Sequence, residues 1–221
     1  MKSLCSFSGG KDSCLALWRA QQAGFDVRTL LVMFEEHGER SRSHALPAPL
    51  IARQAQALGL DLVVRGASWQ NYEHTFTEAL RELKASGHEA AIFGDIDLQP
   101  HRDWEEKVCA AADLRPVLPL WHHDRRALAR EVIEAGFRAI VVCVDSRYLA
   151  DDFCGREYDE AFIAALPHGV DACGENGEFH TFVYDGPNFR NPVAFSVEKL
   201  EPYVAPPEFG GTRYCFASLR D

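Results

Sequence analysis

Residues 8–13 read Ser8-Gly9-Gly10-Lys11-Asp12-Ser13, a polar loop between an apolar run at 4–7 and a helix-like stretch at 14–20. This order predicts strand, loop and helix. The first N–H groups of a helix have no partner within it and lie at the positive end of its dipole, so they attract anions. Gly9 and Gly10 let the backbone approach such an anion closely. The stretch therefore predicts a phosphate-binding loop.

The side chains of the loop suit the same ligand. Ser8 and Ser13 add hydroxyl donors, Lys11 adds a mobile cation, and Asp12 is a candidate Mg²⁺ ligand beside phosphate. The Walker A spacing is absent, so this is a different kind of phosphate loop. The alternative is a turn that caps an ordinary helix, because Ser and Asp are good N-caps.

Strand-like and helix-like segments alternate through the first two-thirds of the chain. The predicted strands after the first are 27–34, 60–65, 90–93 and 137–144, and the predicted helices are 46–58, 71–85, 104–112 and 124–135. Continuous apolar strands that alternate with helices indicate an α/β fold, a parallel sheet with helices on both faces. Beyond about residue 150 a helix at 157–166 and β segments at 182–184 and 193–197 indicate a small α+β subdomain. We expect two domains, 1–150 and 151–221.

Ligands of such sheets bind outside the carboxyl ends of the strands. We expect one cleft to form from the polar segments that end the predicted strands: Ser8–Ser13, Met33–Glu36, Gly94-Asp95 and Asp145-Ser146-Arg147. Arg147 is interpreted as a phosphate contact or a surface ion pair.

A second polar cluster lies at residues 173–182. It contains two carboxylates, an amide, an imidazole and a hydroxyl, in Glu175, Asn176, Glu178, His180 and Thr181. If residues 178–181 are extended, the first carboxylate shares a face with the imidazole. Such a pair can hold a substrate, orient a nucleophile or help to bind Mg²⁺. The alternative is a solvated hairpin turn.

The composition limits the partners. The net charge of −10 argues against sequence-independent affinity for nucleic acid. The seven cysteines contain no Cys-x-x-Cys pair, so we expect buried free thiols in a reducing compartment. The sequence shows no signal peptide and no membrane-spanning run, and we expect a cytoplasmic protein without a membrane partner.

Several other polar and aromatic residues have two interpretations, and we favour a structural role for most of them. Glu105 is a weak site candidate. The residues for which a structural role is predicted are Glu106, the loop residue His44, the exposed pair His122-His123, and the packing residues Trp18, Trp69 and Trp121.

The 8–13 loop resembles the pyrophosphate loop (PP-loop) of the ATP pyrophosphatases, which split ATP between the α and β phosphates and adenylate a substrate. The whole chain resembles the diphthine–ammonia ligase family, which joins a PP-loop domain to a smaller C-terminal domain. The matching stretches are Ser8–Ser13, Gly94-Asp95-Ile96, Pro119-Leu120-Trp121, Gly174–Thr181 and Tyr184-Asp185-Gly186-Pro187. The resemblance implies an adenine nucleotide alpha hydrolase-like (HUP-type) fold.

The resemblance also implies roles. The 8–13 loop would hold the β and γ phosphates of ATP and its Mg²⁺, with Asp12 as the metal ligand. Met33-Phe34 would face adenine through the backbone, and Gly94-Asp95 would lie beside the ribose or α-phosphate. The catalytic residues would be Asp95, Glu175, Glu178 and His180, with Asn176 and Thr181 binding the acceptor. The implied reaction activates a carboxylate, that of diphthine in the family, as an acyl-adenylate that ammonia then attacks.

One departure concerns the acceptor. The archaeal and eukaryotic ligases usually read Glu-Gly-Gly-Glu, then an aromatic residue and Glu, whereas this chain has Asn176 for a glycine and His180 for a glutamate. The segment is similar to that of the bacterial branch, and bacterial translation factors are not expected to carry diphthamide. We therefore leave the carboxylate acceptor open between a small molecule and a modified protein side chain, and a homodimer stays open. The alternatives are a tRNA-modifying PP-loop enzyme and a non-catalytic regulator that binds ATP or AMP.

Overall fold

The structure, a computed structural model, describes residues 1–38, 40–42, 44–207 and 210–220. Its strands are β1 (Lys2–Ser6), β2 (Asp26–Phe34), β3 (Asp61–Gly66), β4 (Ala90–Ile92), β5 (Arg115–Val117), β6 (Arg138–Asp145), β7 (Phe179–Asp185), β8 (Ser196–Val204) and β9 (Arg213–Arg220). Its helices are α1 (Lys11–Gln22), α2 (Ala48–Leu58), α3 (Tyr72–Ala85), α4 (Gln99–Ala111), α5 (Arg125–Glu134) and α6 (Glu160–Ala165), with a 3-10 turn at Asp151–Phe153.

The first five strands form one parallel sheet in the order β3-β2-β1-β4-β5. Side chains alternate between its faces, as the two-residue period of a strand requires. In β2, Leu30 and Val32 pack in the cluster that contains α1 and α2, whereas Leu31 and Met33 pack in the cluster that contains α3 and α4. The predicted parallel sheet with helices on both faces is therefore confirmed.

The remaining strands form an antiparallel sheet in the order β7-β6-β9-β8. The prediction that the apolar run at 137–144 joins the parallel sheet is wrong, because β6 pairs antiparallel with β7 and β9. The run is continuously apolar because β6 is central and buried. A buried central strand has this sequence pattern in parallel and in antiparallel sheets. Asp145 and Arg147 consequently lie away from the carboxyl ends of the parallel strands, and they form an ion pair.

Other boundaries differ in detail. Helix α4 begins five residues before its predicted start (99 against 104), α6 is shorter than predicted, and β5 and β9 were not predicted. The antiparallel sheet with α6 confirms the expected α+β part, while the division at residue 150 stays a prediction. In the described part of the chain, no helix has the length and apolar character that a membrane crossing requires.

Candidate active site

The backbone of the glycine loop is fixed from the second sheet. Gly9 adopts a left-handed φ of +83°, which glycine tolerates. Its carbonyl accepts hydrogen bonds from Val183 N in β7 (2.9 Å) and from Gln54 Nε2 in α2 (3.0 Å). Gln54 is fully buried, and its Nε2 also donates to Val183 O at 2.7 Å. The loop is therefore held between α2 and β7 before any ligand binds.

Helix α1 begins directly after the loop without a side-chain cap. Gly10 is its extended N-cap residue, and Lys11 N donates to Thr181 Oγ1 at 3.0 Å. Ser13 Oγ donates to Gly10 O at 3.0 Å and lies 3.2 Å from Ser8 Oγ. The N-cap residue Gly10 has no side chain to cap the helix, so apart from the bond to Thr181 the positive end of its dipole is suited to an anion.

Lys11 is enclosed within the protein. Its side chain is 3% exposed, and its Nζ donates to Asp12 Oδ2 at 2.8 Å and to the Cys173 carbonyl. The ammonium also lies 5.3 Å from the centre of the Phe179 ring. Burial lowers the pKa of Lys11, but the Asp12 carboxylate outweighs it and keeps the pKa above its ordinary value. Burial has the reverse effect on the neighbouring acid. It raises the pKa of Asp12 above its ordinary value, although the Lys11 ammonium acts to lower it.

The loop opens into a cleft of about 1010 Å³ between the two sheets. Most of the predicted site residues line it: Ser8, Lys11, Asp12, Ser13, Met33, Gly94, Asp95, Glu175, Asn176, His180 and Thr181. The predicted residues outside its lining are Gly9, Gly10, Phe34 and Glu178. The structure thus brings the PP-loop, the end of β4 and the 173–182 cluster together.

The segment that follows β4 packs closely on the first turn of α1. A Cβ placed on Gly94 would lie 3.0 Å from Asp12 C and from Ser13 N. Glycine therefore allows this contact, and it positions Asp95 beside the loop. The Asp95 carboxylate accepts a hydrogen bond from His101 Nδ1 at 2.7 Å, which raises the pKa of His101.

Glu105 is a buried acid behind Asp95. Its side chain lines the cleft, and its buried Oε2 accepts no hydrogen bond from a donor of the described residues. Burial raises the pKa of Glu105 to about 11, so it is protonated at neutral pH and donates to Asp95. Burial also acts to raise the pKa of Asp95, but the hydrogen bonds from His101 and Glu105 lower it below its ordinary value.

Glu175 reaches across the cleft from the second cluster. Its Oε1 accepts a hydrogen bond from Ile96 N at 3.0 Å, which joins the 173–182 loop to the segment after β4. Burial raises the pKa of Glu175 to about 7, and the negative charges of Asp12 and Asp95 act in the same direction. Glu175 therefore gains its charge near neutral pH, the range that suits a general base.

We expect Glu175→Gln to flatten the pH dependence of stability. The folded-state pKa is raised from 4.5 to about 7, so the neutral carboxyl stabilises the fold at low pH. That contribution is lost as the pH rises from 4.5 to about 7, and glutamine mimics the neutral form. Urea unfolding across this pH range measures the change, with the exposed Glu36→Gln as control. Parallel curves for Glu175→Gln and the wild-type protein would contradict the assignment.

Glu178 is buried at the base of its loop. Its Oε2 accepts from Asn176 N at 3.0 Å, and its Oε1 accepts from Asn176 Nδ2 at 3.0 Å and from Asp171 N at 3.4 Å. Glu178 therefore holds the loop in shape and orients the amide of Asn176 at the cleft. The predicted catalytic role of Glu178 stays a prediction, and its carboxylate does not share the cleft with His180.

A partly buried ionic network, not predicted from the sequence, holds the same loop. Asp171 accepts hydrogen bonds from Cys173 N and Glu175 N, each at 3.0 Å, and pairs with Arg125 Nη1 at 2.8 Å. Arg125 also binds Asp97, just after β4, which raises the pKa of the guanidinium. No motif marks these residues in the sequence, because the network depends on three distant segments meeting.

The end of β2, predicted to face adenine through its backbone, already has its carbonyl groups in hydrogen bonds to other segments. Met33 lines the cleft, but its carbonyl accepts from Arg42 N at 3.1 Å, and the carbonyl of the buried Phe34 accepts from Ala67 N at 3.1 Å. Those hydrogen bonds limit the backbone groups left for adenine, and contact between adenine and this segment stays a prediction.

Two of the residues predicted to be structural lie at the cleft. His44 lines it, with its ring centre 4.7 Å from that of His180. Trp69 is 64% exposed, so its predicted packing role is wrong; its ring stacks on Arg42, whose Cζ lies 4.2 Å from the ring centre. Indole rings bind cations on their faces, which explains an exposed tryptophan here.

The structural predictions for Trp18, Glu106 and His122-His123 are confirmed, while Trp121 is half-buried with Arg102 Cζ 5.1 Å from its ring centre. Trp18 packs edge-on against Phe137, Glu106 pairs with Arg102, and His122-His123 are exposed. The seven cysteines are free and buried. Burial raises the pKa of Cys173 to about 12, which disfavours a reactive thiolate.

Comparison with known proteins gives a family. The model of the diphthamide synthase N-terminal domain matches residues 1–116, and that of the diphthamide synthase C-terminal domain matches residues 124–203. The chain belongs to the diphthamide synthase family. The predicted resemblance to the diphthine–ammonia ligases is thereby confirmed, and with it the ligase class of enzyme.

Curated relatives in the diphthamide synthase family carry one name, diphthine–ammonia ligase. The protein from Danio rerio is 28% identical over 218 residues, covering 87% of this chain and 86% of its own length. The protein from Homo sapiens is 27% identical over 220 residues, covering 87% and 82%. A solved structure titled as a predicted subunit of tRNA methyltransferase from Methanocaldococcus jannaschii is 18% identical with a TM-score of 0.45, covering 64% of this chain and 80% of its own, a similarity too low to support an inference.

Proposed function

We propose that this chain is an ATP-dependent amide-forming ligase that adenylates a carboxylate, releases pyrophosphate, and then lets ammonia displace AMP. The observation that carries the proposal is the meeting of three elements in one cleft. These are the N-terminus of α1 with its glycine loop, the Gly94-Asp95 turn, and the Glu175 loop. The name shared by the curated relatives supports the same reaction with diphthine as acceptor.

The glycine loop supplies the phosphate end of the site. The N-terminus of α1 and the Ser8 hydroxyl offer donors to the β and γ phosphates, with Lys11 beside them, and the Ser13 hydroxyl would join them by turning from Gly10 O. Asp12 would hold Mg²⁺ together with phosphate oxygens, and the ion would neutralise phosphate charge. Among the described residues, no three acidic, histidine or cysteine side chains are close enough to bind a metal by themselves, so phosphate would complete the site.

The side chains that line the cleft next to the loop would supply the acceptor side. Asp95 is ionised and held by His101 and Glu105, beside the expected position of the α-phosphate. Glu175 gains its charge near neutral pH and lies on the same side, where it can take the proton that the nitrogen loses once ammonia has attacked the acyl carbon. Asn176 and Thr181 complete the wall and would contact the acceptor.

Two alternatives to this proposal are a tRNA-modifying PP-loop enzyme and a non-catalytic regulator that binds ATP or AMP. Buried cysteines with raised pKa values do not favour a thiolation chemistry. A regulator that binds ATP or AMP without turnover is an outcome of the test below. The cytoplasmic location, the homodimer and the similarity to the bacterial branch stay predictions.

ATP labelled in the α-phosphate tests the proposal. The protein is incubated with Mg²⁺, ammonium and a diphthine-bearing protein or other candidate carboxylates, and AMP is separated from ADP. We expect AMP, with a loss of at least about 10²-fold in Lys11→Ala and in Asp12→Ala, because each removes phosphate stabilisation. The control is Lys199→Ala, on the exposed strand β8. ADP as product would contradict adenylation, and nucleotide binding without any product would favour the regulator.

A further inference from the structure

Two imidazoles face each other above the glycine loop. His44 follows β2 and His180 lies in β7, and their rings are inclined at 46° with centres 4.7 Å apart. A Cβ placed on Gly10 would lie 2.6 Å from His44 Nε2, so the His44 ring covers the N-cap of α1. Both side chains line the cleft beside Lys11 and Thr181.

The histidine pair carries unused hydrogen-bonding capacity. His44 Nδ1 is buried, and none of the described residues forms a hydrogen bond with it. Burial lowers the pKa of His44 well below its ordinary value, with further lowering by His180 and Lys11 that outweighs the opposite effect of the Arg42 backbone. Burial and Lys11 lower the pKa of His180 to about 4. Both rings are therefore neutral at neutral pH in the protein without ligand.

The charges around the loop favour protonation of an imidazole when an anion binds there. The cation that both rings face, Lys11, is already bound by Asp12 and the Cys173 carbonyl. The same cleft contains the carboxylates Asp95 and Glu175. The other cations that line the cleft, Arg42 and His101, are also engaged, the first by the Ala67 carbonyl and the Trp69 ring and the second by Asp95. A polyphosphate at the loop therefore meets little free positive charge from these side chains, and its own charge favours protonation of a neighbouring imidazole.

We propose that His44 and His180 form an anion subsite that takes up one proton when the terminal phosphates of a nucleotide bind at the loop. The proton comes from solvent, resides on one imidazole of the pair, and returns when the phosphates leave. The resulting N–H donates to a phosphate oxygen. A second proton is disfavoured, because two imidazolium rings 4.7 Å apart repel each other. The identity of the anion rests on the proposed function; the coupled proton is independent of the acceptor.

Calorimetry tests the coupled proton without turnover. Mg²⁺ and α,β-methylene-ATP, which resists cleavage between those phosphates, are titrated at slightly alkaline pH in two buffers of different ionisation enthalpy. The buffer dependence of the heat gives the protons exchanged, and we expect an uptake of about one proton per nucleotide. We expect His44→Gln with His180→Gln to abolish the uptake and weaken binding about tenfold, one hydrogen bond to a charged group. The exposed His168→Gln is the control and should retain the uptake.

Each outcome decides a different point. Binding without proton uptake, or with uptake unchanged in the double variant, overturns the subsite and leaves the proposed function standing. No binding at all overturns both. A second measurement avoids the variants: the imidazole resonances of the wild-type protein, titrated with and without nucleotide. We expect one histidine of the pair to titrate at higher pH when nucleotide is bound, and unchanged titration of both would again overturn the subsite.

Discussion

Gly94→Ala is expected to lower nucleotide affinity and AMP formation by about 10²-fold, the cost of a misplacement of roughly an ångström at a reacting centre. The new Cβ would lie 3.0 Å from Asp12 C and Ser13 N and 3.1 Å from Asp12 O. All three are backbone atoms of the first turn of α1, so no side-chain rotation relieves the contact. The φ of Gly94 is not left-handed, so alanine meets no conformational penalty and the effect is steric.

The measurement is a calorimetric titration with nucleotide, combined with urea unfolding. We expect the fold to survive with a loss of about 1–3 kcal/mol in the free energy of unfolding, typical of overpacking. The control is Gly24→Ala, at φ +85°, where no described residue beyond its two chain neighbours comes within 4 Å of the added Cβ, so the cost is strain alone. Nucleotide affinity in Gly94→Ala equal to that of the wild-type protein would show that the turn does not position the loop.

The architecture was predictable where one segment carries its own signal. The glycine loop was recognised from its position between a strand and a helix, and the alternation of segments gave the parallel sheet. Strand β6 was misplaced because a strand buried on both faces has the same apolar run in either sheet. Strand β9 was missed because the sequence before it is rich in proline and glycine, which obscures a following strand.

The site was predictable only in part, for a related reason. Residues with a motif, such as Lys11 and Glu175, reach the cleft as expected. His44 and Trp69 carried no local signal, since their roles depend on β7 and on Arg42 lying beside them. Glu178 shows the reverse: it has the chemistry of a catalytic residue, but its hydrogen bonds to its own loop place it outside the cleft lining.

Asp171 holds the loop that carries Glu175, so its substitution should lower the stability of the protein. We expect Asp171→Asn to lower the free energy of unfolding by about 2–3 kcal/mol, because it breaks a partly buried charge pair and leaves a backbone N–H facing a donor. The pair is shielded, with 10% of the Asp171 side chain and 24% of Arg125 exposed. The substitution keeps the shape of the side chain, so packing is not the cause.

The matched control is Asp113→Asn, which removes the same charge from a surface pair with Lys84 in which 91% of the aspartate side chain is exposed. We expect a change within about 0.5 kcal/mol there, as for surface pairs in general. Urea unfolding measures both variants. The Asp171 variant should also form AMP more slowly, because Glu175 N loses its acceptor at 3.0 Å and the loop that carries the carboxylate loosens. Equal stability losses in the two variants would mean that the network between α5, the β4 segment and the 173–182 loop does not hold the site together.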